Sequence, residues 1–341
     1  MANAIAYASI FQKKLDKQMT AKLTSGWMEA NAGQVIYNGG NEVKIPHLEM
    51  QGLADYNRAD GSGYKNGDIT FKYQTKTMRK DRGRSFQFDA HDVDETNFVL
   101  TAGNVLSVFQ TTKVVPEVDA YRYSMLARDI LIAHTAKNGT VKGITNGTNL
   151  GTGIAVGIVE ENYTPNKSTI FSKIKADLAA IRDIVGDIPL VISMASTALS
   201  ELEQSDEISR QLNVADFEKG GIMTKVKSID GVPIIEVPSS RMATEFEFKN
   251  DANGGFAKSS KAADINWIIT PLNGPIAVSK TDEVRIFTPK TNQAANAWKV
   301  DYRKYHDVWL TDEQVKLCRM SVKGTLQTRT ASAKNKEEVS E

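Results

Sequence analysis

Few residues in this sequence are spaced for chemistry. The four histidines are His47, His91, His134 and His306, and none stands at metal-ligand spacing from another or from the single cysteine, Cys318. The densest titratable cluster is His91-Asp92-Val93-Asp94-Glu95. Its acids precede an apolar-periodic stretch, where carboxylates satisfy the free N–H groups of a helix start, so a solvated cap is expected rather than a metal site. Gly147, Gly151, Gly153 and Gly157 form a glycine-rich stretch, but it lacks a third glycine at dinucleotide spacing and leads into no clear helix, so it reads as loop. There is no Gly-x-Ser-x-Gly elbow and no phosphate-binding P-loop. One cysteine allows neither an intrachain disulfide nor a thiolate metal centre, and reads as a buried thiol. The expectation is therefore no catalytic residue, no metal and no cofactor. What remains is a basic run, Arg79, Lys80, Arg82 and Arg84, broken by Asp81 and Gly83. Such a run suits a clamp on carboxylates of another subunit, a contact with DNA phosphates, or a solvated strand face.

The elements that must position these residues can be read from hydrophobic period. Residues 1 to about 34 are weakly amphipathic and read as an arm that orders on contact. Ile69, Phe71, Tyr73 and Thr75 alternate with Thr70, Lys72, Gln74 and Lys76, which predicts a half-exposed strand. Turn formers from Gly52 to Gly67 precede it, ending in Asn66-Gly67. A long β-hairpin is expected, with too few large aliphatics to bury itself, so its packing must lie on another surface. A long amphipathic helix is predicted within 92–136, with Pro116 beginning a second helical run and Arg122, Arg128 and Asp129 on a polar face. Residues 137–166 read as loop. An α/β region follows: a helix from Ile170 to Val185 stopped by Gly186, a strand from Ile188 to Met194, a helix over 196–204, and a strand from Val232 to Val237 entered by a turn at Gly231. Residues 264–323 are mostly strand, and 328–341 are a polar tail.

Composition sets the class. The chain has 341 residues, room for two or three domains of about 100–200 residues. With 42 basic and 41 acidic residues its formal net charge is +1, which argues against base-specific nucleic-acid readout and suits a protein that packs against copies of itself. No signal-peptide core and no run of apolar residues long enough for a membrane span is present, so a cytosolic protein with idle sequons at Asn138, Asn146, Asn162 and Asn166 is expected.

The order of several short motifs resembles the major capsid proteins of tailed bacteriophages. They are Val43-Lys44-Ile45-Pro46, Gly52-Leu53-Ala54-Asp55-Tyr56, Asp81-Arg82-Gly83-Arg84-Ser85-Phe86, Asp92-Val93-Asp94-Glu95-Thr96, Val114 to Arg122, Phe287 to Pro289, and Tyr302 to Asp307. The resemblance implies an α+β capsid fold, shared with encapsulins and the herpesvirus capsid floor. It implies an N-terminal arm (1–42), an extended E-loop hairpin (43–90), a peripheral domain with a long spine helix (91–164 and 263–327), an α/β axial domain (165–262) and a flexible tail (328–341). It further implies a non-enzymatic subunit that forms pentamers and hexamers in an icosahedral virion shell around double-stranded DNA. Its partners would be a portal protein, packaged DNA held without base-specific contacts, and a separate scaffolding protein, since no scaffolding extension precedes the arm, unless the chain is the already matured form. Contacts between subunits are expected from Tyr64, Lys65, Phe71, Tyr73, Arg79, Lys80, Arg82 and Arg84. An encapsulin-type compartment shares the fold and is the alternative. An α/β enzyme built on 165–262 is the alternative from another class.

Overall fold

The computed structural model describes residues 23–37, 40–56, 63–89, 102–135, 140–141, 144–145, 158–205, 213–219 and 222–324. The start of the expected arm, the 91–96 acidic cluster, the 147–157 glycine stretch and the 328–341 tail lie outside the described residues.

In chain order the described part opens with a 3-10 helix, Gly26–Gln34, then β1 (Ile36–Tyr37), β2 (Glu42–Met50), β3 (Ile69–Thr77) and β4 (Lys80–Asp89). A long helical stretch follows as α1 (Ala102–Phe109), a π turn (Gln110–Val114) and α2 (Val115–Thr135). Next come β5 (Thr140–Val141), β6 (Ile144–Thr145), β7 (Val159–Glu160), α3 (Ile170–Val185), β8 (Leu190–Ala195) and α4 (Ser196–Glu203). The chain continues through β9 (Asn213–Lys219), β10 (Ile222–Ile229), β11 (Val232–Val237), β12 (Phe246–Phe248) and β13 (Phe256–Lys258). It closes with β14 (Asp264–Pro271), β15 (Ile276–Phe287), β16 (Ala297–Trp309), α5 (Asp312–Val315) and β17 (Arg319–Lys323).

Two sheets organise the body. A seven-stranded mixed sheet runs β7-β17-β14-β8-β11-β10-β9, and its core takes in α2, α3 and α4. The expected helices and strands of the α/β region are all present, with Gly186 (φ 75°) ending α3 and Gly231 (φ 78°) in the turn into β11. β14 and β17 were read with the peripheral sheet. They hydrogen-bond instead into this larger sheet, β14 between β8 and β17; the apolar run Trp267-Ile268-Ile269 suits a strand buried on both faces, and β17 pairs along it. The second sheet is β15-β16-β4, and it packs on α1 and the start of α2 through Leu106, Val114, Val118, Val284, Val300 and Tyr302. Here β4 comes so close to β16 that a Cβ on Gly83 would stand 2.9 Å from the Tyr302 carbonyl oxygen.

The long helix carries a π turn just before Pro116. Proline has no N–H to offer the Thr112 carbonyl and its ring crowds that group, so the ladder slips by one residue, the Val115 N–H donating to Gln110 O. Pro116 thus sits inside a continuous helical stretch rather than opening a separate one. The polar face expected on α2 is also corrected. Asp119 and Arg122 are fully buried, because the segment read as an arm lies against them. From Leu23 to Gln34 that segment is a strap packed into the body, with Leu23, Trp27 and Met28 in the core. One Asp119 oxygen accepts from the backbone N–H and hydroxyl of Ser25, the other from the N–H and hydroxyl of Thr24 and from Arg241 at 2.9 Å. Arg122 donates to the Ser25 carbonyl and to Glu29 at 2.5 Å. Burial works to raise Glu29, but the charges of Arg122 and Lys304 and the Arg122 hydrogen bond together outweigh it and hold the carboxyl below its usual range. Among the described residues no helix is long and apolar enough to cross a membrane.

Candidate functional site

The hairpin of β2 and β3 follows from alternation. Met50 pairs with Ile69, Leu48 with Phe71 and Pro46 with Tyr73, so all six side chains share one face. The opposite face carries Ile45 against Gln74 and Val43 against Lys76. At the base, Val43 and Ile45 are buried with Met78, Ile276, Val278, Tyr305 and Trp309. Beyond it the apolar face is open: Leu48 is 52 %, Phe71 55 %, Met50 68 % and Ile69 71 % exposed. The rings of Phe71 and Tyr73 meet edge to face at 4.8 Å, and those of Tyr56 and Tyr64, towards the tip, at 4.9 Å. Eight of the eleven large hydrophobics exposed among the described residues lie between Leu48 and Tyr73, so this is one patch rather than scatter.

Tyr64, Lys65, Phe71 and Tyr73, expected from sequence, stand on this exposed hairpin. Leu48, Met50, Leu53, Tyr56 and Ile69 complete the eight and were missed as site residues. The signal was present in the register, because a hairpin that aligns Phe71 with Leu48 must put Ile69 beside Met50.

The basic run lies elsewhere. Its strand, β4, leaves the hairpin at Met78–Arg79 and joins β16. Arg79 and Arg84 are exposed, whereas Lys80 and Arg82 are half-buried. Arg82 Nε donates to Glu117 at 2.8 Å and its other nitrogens to Asn250 Oδ1 and to the Lys249 and Gly255 carbonyls. Arg84 donates to the Ala252 carbonyl at 2.5 Å. Lys80 Nζ stands 3.0 Å from the Phe248 ring centroid and 5.2 Å from that of Tyr121. Burial pulls Lys80 down to about 7, with Glu117 opposing.

A stability test follows from that shift. Below about pH 7 the folded chain must bury the ammonium; between about 7 and 10.5 the folded amine is neutral while the unfolded chain still binds its proton. Stability from this group therefore rises with pH across that window. Lys80→Met is expected to melt higher than the parent at pH 6, with the difference shrinking towards pH 10, as read by thermal denaturation at each pH. A lower melting temperature for the variant at pH 6 would show that the ring contacts, not burial, dominate.

Among the described residues no three histidine, cysteine, aspartate or glutamate side chains converge as a metal site. Cys318 is fully buried and burial pushes its thiol up, which makes it unreactive. Tyr305 and His306 are both buried, as expected of packing residues, and burial keeps His306 neutral by holding it well below its usual value.

No family model and no curated protein sequence matches the chain. Solved structures do. The asymmetric unit of the bacteriophage PhiM1 mature capsid superposes with a TM-score of 0.54 over 86 % of this chain and 85 % of that one, at 10 % identity. The capsid of the cyanophage P-SCSP1u gives 0.52 over 84 % of each chain, at 11 % identity. The helices, sheets and extended hairpin described above are thus those of the tailed-phage major capsid fold, which this chain adopts.

Proposed function

We propose that the chain is a structural major capsid subunit. It assembles as pentamers and hexamers into an icosahedral virion shell enclosing double-stranded DNA, and it catalyses nothing. The observation that carries this reading is the apolar hairpin face. A two-stranded ribbon of nine paired residues is about 30 Å long at the usual rise per residue, its buried base included. It exposes Leu48, Met50, Ile69 and Phe71 together, a cost to a solitary chain and a ready contact for a second copy. The fold shared with phage capsid subunits supports the same partner. In this reading Tyr64, Lys65, Phe71 and Tyr73, joined by the exposed Arg79 and Arg84, meet a neighbouring subunit. Lys80 and Arg82 act inside their own. The near-neutral charge suits a wall that meets DNA without reading bases. A scaffolding protein and a portal are the remaining partners proposed.

The test is a photo-crosslinking amino acid in place of Phe71. In assembled material it should capture a second copy of this chain, giving a species of twice the subunit mass that is absent from dilute unassembled protein. Assembled particles in which this position captures no second copy would remove the hairpin from the interface.

A further inference from the structure

The hairpin's direction is decided at one corner. Met78–Arg79 is where the chain leaves β3 and turns into β4, and the buried cluster that joins the ribbon to the body lies at its base. The corner is fixed from β16. The Tyr305 hydroxyl donates to the Met78 carbonyl at 2.8 Å, and Asp307 Oδ2 accepts from the Arg79 N–H at 3.0 Å. Asp307 Oδ1 accepts from the Tyr121 hydroxyl on α2 at 2.9 Å and from the Val308 N–H at 2.8 Å. Three donors on two oxygens require an acceptor-only group, an ionised carboxylate; an asparagine must turn its NH2 towards at least one backbone N–H. Asp307 is buried, and burial pushes it up to about 6, with the Val308, Tyr121 and Arg79 hydrogen bonds opposing, so it remains ionised at neutral pH.

The same corner reaches two more elements. The Tyr121 ring that Asp307 holds packs edge to face on Phe248 of β12 at 5.7 Å, and Lys80 lies over both rings. One turn of strand further, Arg82 ties Glu117 of α2 to the 249–255 loop that joins β12 to β13.

We propose that Asp307 is the positioning residue of a joint that sets the hairpin's angle to the long helix and couples that angle to the β12–β13 hairpin. The carboxylate and the Tyr305 hydroxyl hold the backbone of the corner, on top of the packing of Val43, Ile45 and Met78 at the base. The consequence for assembly rests on the capsid reading; the joint itself does not.

The test uses the full-length, unassembled chain with spin labels at Lys65→Cys, on the hairpin, and Asp183→Cys, on α3. The buried Cys318 does not label. Pulsed electron paramagnetic resonance reads the distance distribution between the two labels. The parent should give a narrow distribution. Asp307→Asn and Tyr305→Phe should each broaden it at least twofold, while hydrogen exchange of β8 and β14 amides stays at the parent rate. Where Asp307→Asn does not fold, Tyr305→Phe and Tyr121→Phe decide, since each removes one hydroxyl and keeps its ring. Parent-like widths in the folded variants would overturn the joint. A chain that never assembles yet shows the broadening would refute the capsid reading and leave the joint standing.

Discussion

Leu48→Ser combined with Phe71→Ser is expected to abolish particle formation while leaving the subunit folded. Both side chains are more than half exposed in the single chain, so their loss removes little intrachain packing, and surface changes of this kind shift stability by only about 0.5 kcal/mol each. In the proposed shell the same side chains would be covered. Completing the burial of two half-exposed large hydrophobics contributes about 2–3 kcal/mol per subunit. At about 1.4 kcal/mol per tenfold, the concentration needed for assembly rises on the order of 10²-fold. Every subunit repeats the contact, so the defect compounds around the shell. The measurement is a concentration series followed by light scattering, with a melting curve on the same protein. Unchanged assembly at an unchanged melting temperature would mean the face is not an interface. A collapsed melting temperature would mean it supports the fold.

Asp119→Ala is expected to cost about 3–5 kcal/mol of folding stability, the usual range for removing one partner of a buried charge network. The loss strands the N–H groups and hydroxyls of Thr24 and Ser25 and leaves Arg241 without its carboxylate. The strap is then held by Arg122, its contact with Glu29, and the burial of Trp27 and Met28. Asp119→Asn should recover part of the loss, because an amide oxygen still accepts from one residue of the pair. Urea titration reads the stability, and limited proteolysis within 23–34 reads the release of the strap. Parent-like stability for Asp119→Ala would show that the network is ornamental. Glu29 adds a pH signature. Its lowered folded value gives stability present above its ordinary value of 4.5 and lost as pH falls through the lower folded one.

What could be read from the sequence was what neighbours along the chain decide. The 3.6 period of Ile170, Ile174, Leu178 and Ile181 placed α3, and Gly186 ended it. The period-two run from Ile69 placed β3. What escaped depended on residues distant in sequence. Asp119 and Arg122 look like solvated helix residues until Thr24, Ser25 and Glu29, more than ninety positions away, cover them. Arg82 looks like a free cation until the 249–255 loop returns to it. The strap was obscured because its buried residues, Leu23, Trp27 and Met28, are few and lie in a 3-10 helix without strong amphipathic period. The β9–β10 hairpin was passed over although Gly220-Gly221 between two short strand-forming runs is a usable turn signal. The apolar run Trp267 to Ile269 marks a strand, and its lack of alternation favours a place inside the larger sheet over the smaller one. The hairpin itself was legible for a different reason. Its apolar residues had too little partner surface in their own segment, and that deficit is what the proposed contact with a second copy would fill.

The central claim is that this chain builds a shell, and electron microscopy of the purified protein tests it most directly. The chain would be expressed alone and with candidate scaffolding proteins. The account predicts closed icosahedral shells, or the tubes and capsomer rings that the same contacts produce when closure fails. Uniformly monomeric protein under every condition, with the hairpin intact and the chain folded, would contradict it.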